Sequence, residues 1–155
     1  MKSGFSPGLT RPLNALVLDD DYQWRYLIAY HVDSQLGTEP ILASSGPEAL
    51  DLMSMRPIDV VICDLSMPGI EGLQFLEQAH ERFPRTKIIV LSADFGAPSI
   101  TPERLIAQGA LAVIPKGEIF STLMDVLRLL QEVPEAHVLH PYWNSQSQSY
   151  ESYAN

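Results

Sequence analysis

Residues 60–76 read VVICDLSMPGIEGLQFL. Val60 to Cys63 is a short apolar run without alternation, the pattern of a strand buried on both faces of a sheet. The run ends on an acid, Asp64. Beyond it Leu73, Leu76, His80 and Phe83 recur at three- and four-residue steps, the spacing of one face of a helix. A buried strand followed by an amphipathic helix is the building unit of a parallel sheet.

The same alternation repeats on either side. Further apolar runs lie at Ala15 to Leu18, Pro40 to Ala43, Ile88 to Leu91 and Ala112 to Ile114. Between them, Trp24, Leu27, Ile28, Val32 and Leu36 keep a helical period, as do Phe120, Leu123, Met124, Leu127 and Leu130. Pro47 and Pro102 stand where first-turn prolines belong, after Gly46 and the N-cap candidate Thr101. Gly37, Pro57, Pro84 and Gly109 mark helix ends or the links after them. Five strand–helix units in a row predict one α/β domain over residues 13–132. Its five-stranded parallel sheet carries right-handed crossover helices on both faces, so it is doubly wound. Residues 1–12 (MKSGFSPGLTRP) are non-periodic and read as a flexible lead-in. Residues 133–155 contain no Lys or Arg and end in SQSQSYESYAN, so a disordered tail or linker is expected. Tyr142, Trp143, Tyr150 and Tyr153 in that tail give a second reading, a partner-binding segment.

Composition narrows the function classes. The 155 residues are 46% hydrophobic and 19% charged, enough apolar surface for a packed core. With 10 basic against 19 acidic residues the net charge is −9, which repels phosphate backbones and anionic lipid. Direct nucleic-acid or membrane binding is therefore not expected. A single cysteine, Cys63, precludes an internal disulfide and suits a reducing compartment. No apolar run approaches the ~20 residues of a membrane span, and Lys2 is followed by no signal-type stretch. A cytoplasmic protein is expected.

In open parallel sheets, ligands bind outside the carboxyl ends of the strands. Asp19, Asp20 and Asp21 follow the first strand, Asp64 closes the third, Ser92 and Asp94 follow the fourth, and Lys116 follows the fifth. Any one strand-end aspartate is more often a loop cap or a solvated turn. Several carboxylates converging with a lysine are another matter, because they stay ionised together only around a cation. All-oxygen ligands without His or Cys suit a hard ion, and few carboxylates with room for water suit Mg²⁺ over Ca²⁺. A metal, a carboxylate and an ammonium are the apparatus for handling a phosphoryl group.

The runs ALVLDDD (15–21), VVICDLSMPGIEGLQFL, KIIVLSAD (87–94) and GALAVIPKG (109–117) resemble the CheY-like receiver domain of two-component response regulators. SSGPEAL (44–50) resembles the pattern before the family's second helix, and the likeness covers roughly Asn14 to Leu130. The resemblance implies a (βα)5 flavodoxin-like fold and a phosphoacceptor at Asp64, served by a sensor histidine kinase or a phosphotransfer protein. It implies Mg²⁺ held by Asp19, Asp20, Asp64 and the main-chain carbonyl of Ser66. Lys116 would pair with a phosphoryl oxygen, Ser92 would swing to bond another, and Ala93 would leave room beside them. Met67, Pro68 and Gly69 would shape the loop after the acceptor, and Gly72 would permit close packing where the third helix begins. The output would be a contact with a downstream protein. Ser66 and Asp94, each two residues past a key position, would border the route of the hydrolytic water.

Departures from the family pattern matter too. Val113 stands three residues before the lysine, where receivers usually place an aromatic that follows the switch hydroxyl inward, so backbone or loop movement is expected to carry any switch. Pro115 precedes Lys116 and Gly117 follows it, so the cis peptide common after the lysine is not predicted. The loop Phe95 to Thr101 is slightly long, which predicts a short or displaced fourth helix.

Other candidates carry less. Asp21 reads as a solvated neighbour of the acid pair, and Cys63 as core. His31 and His80 fall on helices and read as packing or boundary residues, and His137 with His140 lacks further ligands for a metal site. Asp19 and Asp21 as D-x-D resemble the start of a haloacid-dehalogenase-type phosphatase, but Gln23 is wrong for it and Asp64 is left without a role. A pseudo-receiver that is never phosphorylated is the other alternative. On the fifth helix, Ile119, Phe120, Leu123, Met124, Val126, Leu127, Leu129 and Leu130 make a broad apolar stripe. It fits a fully buried terminal helix or, with the fourth unit, a homodimer or partner face.

Overall fold

The computed structural model describes residues 12–65, 71–92, 101–132, 139–144 and 149–154. Its elements are β1 (Ala15–Leu18), α1 (Tyr22–Leu36), β2 (Ile41–Ala43), α2 (Gly46–Met55), β3 (Val60–Asp64), α3 (Glu71–Arg82), β4 (Lys87–Ser92), α4 (Pro102–Ala107), β5 (Ala112–Pro115), α5 (Ile119–Glu132), β6 (Leu139–Asn144) and β7 (Ser149–Ala154). A single 3-10 turn, Lys116–Glu118, joins β5 to α5. The first five strands are parallel in the order β2-β1-β3-β4-β5, as the alternating pattern predicts. Strand order reverses between β1 and β3, and these two neighbours carry Asp19 and Asp64 at their carboxyl ends.

Side-chain alternation along the strands divides the core in two. Val17, Ile62, Ile89 and Ile114 point to the face covered by α1 and α5, where they meet Ile28, Val32, Leu123 and Leu127. Leu16, Leu18, Val61, Cys63, Val90 and Val113 point to the opposite face, against Ala49, Met53, Phe75, Leu76 and Leu105. Such two-sided burial is why the strands read as unbroken apolar runs.

Helix starts follow local chemistry. Ser45 accepts from the Glu48 amide at 3.2 Å while Glu48 Oε1 accepts from the Ser44 amide at 2.7 Å, and Pro47 occupies the first turn of α2. Thr101 caps α4 by accepting from the Arg104 amide at 3.2 Å, and α4 is short, at six residues. On α1 the buried stripe runs through Ile28, Val32 and Leu36, which leaves Leu27 on the flank and exposed rather than in the core. On α5 the stripe is largely core: Ile119, Leu123, Val126, Leu127 and Leu130 are buried, Met124 and Leu129 half-buried, and Phe120 exposed. No cis peptide occurs among the described residues. The lead-in up to residue 11 and the loop 93–100 lie outside them.

In the tail, residues 139–144 and 149–154 form an antiparallel hairpin, paired from Leu139↔Ala154 to Asn144↔Ser149. Its first strand, β6, lies parallel to β5 through the pair Val113↔Tyr142, so the sheet has seven strands. The polar composition that suggested disorder is interrupted by β-prone Tyr and Trp, and the exposed edge of β5 offers backbone groups to pair with.

Gly72 shows how tightly the site end is built. A Cβ there would stand 2.9 Å from Leu65 Cδ1 and 3.2 Å from the Leu65 Cα, directly after Asp64. Gly72→Ala is therefore expected to cost ~1–3 kcal/mol as Leu65 is displaced, read as a lower urea midpoint with an unchanged slope. A wild-type midpoint would show that β3 and α3 have slack at this contact.

Candidate functional site

Asp19 leaves β1 with no solvent exposure. Its amide donates to the Ala43 carbonyl at 3.1 Å, and its Oδ1 accepts from the Asp21 amide at 2.9 Å. Asp21 is exposed, as expected of a solvated neighbour of the acid pair, and it accepts from the amides of Gln23 (2.9 Å) and Trp24 (3.3 Å) as the N-cap of α1. A carboxylate committed to a helix cap is not placed to act as the acid of a D-x-D phosphatase. Asp20, between them, is exposed.

Asp64 ends β3 and is 2% exposed. Lys116, just past β5, donates from Nζ to Asp64 Oδ2 at 3.0 Å and lies 3.8 Å from Asp19 Oδ2. Asp19, Asp20 and Asp64 each place a carboxylate oxygen within 4.8 Å of the others. Ser92 ends β4, the strand between β3 and β5, and is buried. Val113 is fully buried on the α2–α3–α4 side of β5. Ser66, Met67, Pro68, Gly69, Ala93 and Asp94 fall outside the described residues.

The cluster suits a divalent cation. With three carboxylates and one ammonium ionised it keeps an excess of negative charge. Among the described residues, the buried Asp19 Oδ2 has no hydrogen-bond partner. Burial pushes Asp19 up to about 7; the Asp21 amide opposes this, nearby Asp64 adds to it, and Lys116 opposes it. Such a group is costly to ionise until a cation arrives. The Cys63 thiol is pushed up by burial and by Asp64, which leaves it core and unreactive.

Two residues at the site went unread in the sequence. The Lys116 ammonium sits over the Trp24 ring, 4.9 Å from its centroid, and Arg25 Nη1 donates to the Asp19 carbonyl at 2.7 Å. The available signal was Asp21 as N-cap: it starts α1 at Tyr22 and so sets Trp24 and Arg25 in the first turn, beside the acids.

Residues 15–128 match the response regulator receiver domain. The chain belongs to that family. The receiver is 35% identical over 88 residues to the Regulator of RpoS of Escherichia coli (strain K12), an alignment covering 55% of this chain and 26% of that protein. It is 30% identical over 132 residues to protein-glutamate methylesterase/protein-glutamine glutaminase 3 of Hahella chejuensis, covering 78% of this chain and 37% of that protein. The chain thus spans only about a quarter to a third of the length of these curated relatives. The receiver domain of the Francisella response regulator 1452 superposes with a TM-score of 0.69 at 24% identity, covering 79% of this chain and 99% of that one. The clustered Asp19, Asp20 and Asp64 are the site typical of CheY-type regulators, which act as signalling modules through protein contacts and not as enzymes. Among the described residues no helix is long and apolar enough to cross a membrane.

Because Asp19 is raised from 3.8 to about 7 on folding, the folded chain holds a proton there that the unfolded chain has lost. Stability without divalent cation should therefore fall as pH rises across that window, and the deficit should be complete above it. A cation that binds the ionised form reverses the trend. The melting shift produced by a divalent cation is expected to be larger at pH ~8 than at pH ~5.5, and Asp19→Asn should flatten the difference. Equal shifts at both pH values in thermal melts would remove Asp19 from the cation site.

Proposed function

We propose that this receiver takes a phosphoryl group on Asp64 from a phosphohistidine of a sensor histidine kinase or phosphotransfer protein. It then alters its affinity for a downstream protein. The observation that carries the reading is the buried Asp64 carboxylate, 3.0 Å from Lys116 and grouped with Asp19 and Asp20. In the transfer, an Asp64 oxygen attacks phosphorus as the P–N bond to the donor imidazole breaks, and the imidazole leaves with the bonding pair. Lys116 exchanges its bond to Asp64 for one to a phosphoryl oxygen. Asp19, Asp20 and Asp64, with the main chain at Ser66, would hold Mg²⁺, which when bound would neutralise the phosphoryl oxygens.

Ser92, buried at the end of the strand beside β3, would supply the switch hydroxyl, with Ala93 leaving space next to it. At the switch position Val113 replaces an aromatic lever, so the change would leave through the backbone after β4. A homodimer through the fourth and fifth units would use the outer faces of α4 and α5, because β6 occupies the edge of β5. The reading sets the chain in the cytoplasm, where its lone buried thiol is at home.

Intact-mass spectrometry after incubation with acetyl phosphate tests the assignment. Wild type with Mg²⁺ should gain one phosphoryl adduct, and chelation should remove it. Asp64→Asn should gain none while melting cooperatively. Normal labelling of that variant would sink the role of Asp64, and steady phosphate release without an adduct would return the D-x-D phosphatase.

A further inference from the structure

Lys116 is held from three directions. Its ammonium faces Asp64 Oδ2 at 3.0 Å, Asp19 Oδ2 at 3.8 Å and the Trp24 ring at 4.9 Å from the centroid. Trp24 is half-buried and packs on the core beneath α1 and α5, so the ring has a fixed seat. The Asp21 cap and the Arg25 bond to the Asp19 carbonyl pin the same helical turn to the acids. The side chain of Lys116 keeps only 14% of its exposure.

We propose that Trp24 is a positioning residue for phosphoryl transfer, its ring face holding the Lys116 ammonium at the mouth of the site. Lysine is a flexible chain with a strongly hydrated head, and left alone it samples many rotamers. A carboxylate in place of the ring would fix the ammonium but neutralise it. An aromatic face attracts the cation while leaving its charge and its hydrogen-bond donors available. The ammonium can then move from Asp64 to an incoming oxygen without leaving the ring. The purpose of this arrangement rests on the phosphoacceptor reading of Asp64; the grip on Lys116 does not.

Trp24→Leu and Trp24→Phe separate attraction from packing. Two measurements apply: the rate of Mg²⁺-dependent adduct formation with acetyl phosphate, and the acylation rate of Lys116 by an N-hydroxysuccinimide ester. The other lysines, Lys2 and Lys87, serve as references on the same peptide map. In Trp24→Leu the adduct should form about tenfold more slowly and Lys116 should acylate severalfold faster. Trp24→Phe, which keeps a ring face, should recover most of both. Unchanged rates in Trp24→Leu would overturn the proposal, as would a loss that Trp24→Phe shares in full. A wild type that takes no phosphoryl group would count against the function of Asp64 instead. Lys116 acylation would still decide whether the ring holds the ammonium.

Discussion

Asp19 and Asp64 end adjacent strands with almost no solvent exposure, and a single ammonium lies 3.8 and 3.0 Å from them. Two carboxylates so placed cannot both ionise in a poorly solvated site unless positive charge stands between them. The sheet order supplies it at a distance. Lys116 follows β5, and β4 lies between β5 and β3. Two strand spacings of about 4.8 Å each must be crossed, which only a long side chain can do. Ser92 ends the intervening strand. The lysine bonds Asp64, but among the described residues Asp19 Oδ2 has no hydrogen-bond partner and Asp19 is raised, so these residues alone do not complete the charge balance. A divalent cation would complete it, and the close packing of Gly72 on Leu65 keeps Asp64 where the balance is struck.

The acids also shape the backbone around them. Asp19 accepts from the Asp21 amide, Asp21 caps α1, and the first turn of that helix brings Trp24 and Arg25 back over the site. The run of three aspartates thus divides its labour by geometry. The first is buried and charge-coupled, the second is exposed and free to reach a cation, and the third is spent on the helix. Identical side chains acquire different chemistry because the chain turns sharply after β1.

Much of this was legible in the sequence because burial on both faces writes strands as apolar runs, and because ligands gather where parallel strands end. Asp19, Asp20, Asp64 and Lys116 could be read together for that reason, though nothing in spacing alone gives their distances. Features set by three-dimensional direction were not legible. Leu27 has the right period but sits off the centre of the buried stripe. Trp24 reads as core until the cap fixes which way the first turn faces. The pairing of β6 was not legible from the average polarity of the tail either, because pairing depends on an available edge and on alternation, and β5 offers the edge.

Val113 binds these threads into a constraint on how a signal would leave the site. It is fully buried, paired with Val90 on one side and with Tyr142 on the other. A β-branched side chain has few rotamers and no ring to swing, so it cannot report a movement of Ser92 by changing its own exposure. With β5 flanked by β4 and β6, shifting the strand as a whole would disturb ladders on both edges. Beyond β4 the next described element is α4, whose six residues are anchored by Leu105 and a Thr101 cap. A helix that short is stabilised by packing more than by its own hydrogen bonds. Such a helix is the element of this end of the domain that can be repositioned at least cost while the sheet stays in place.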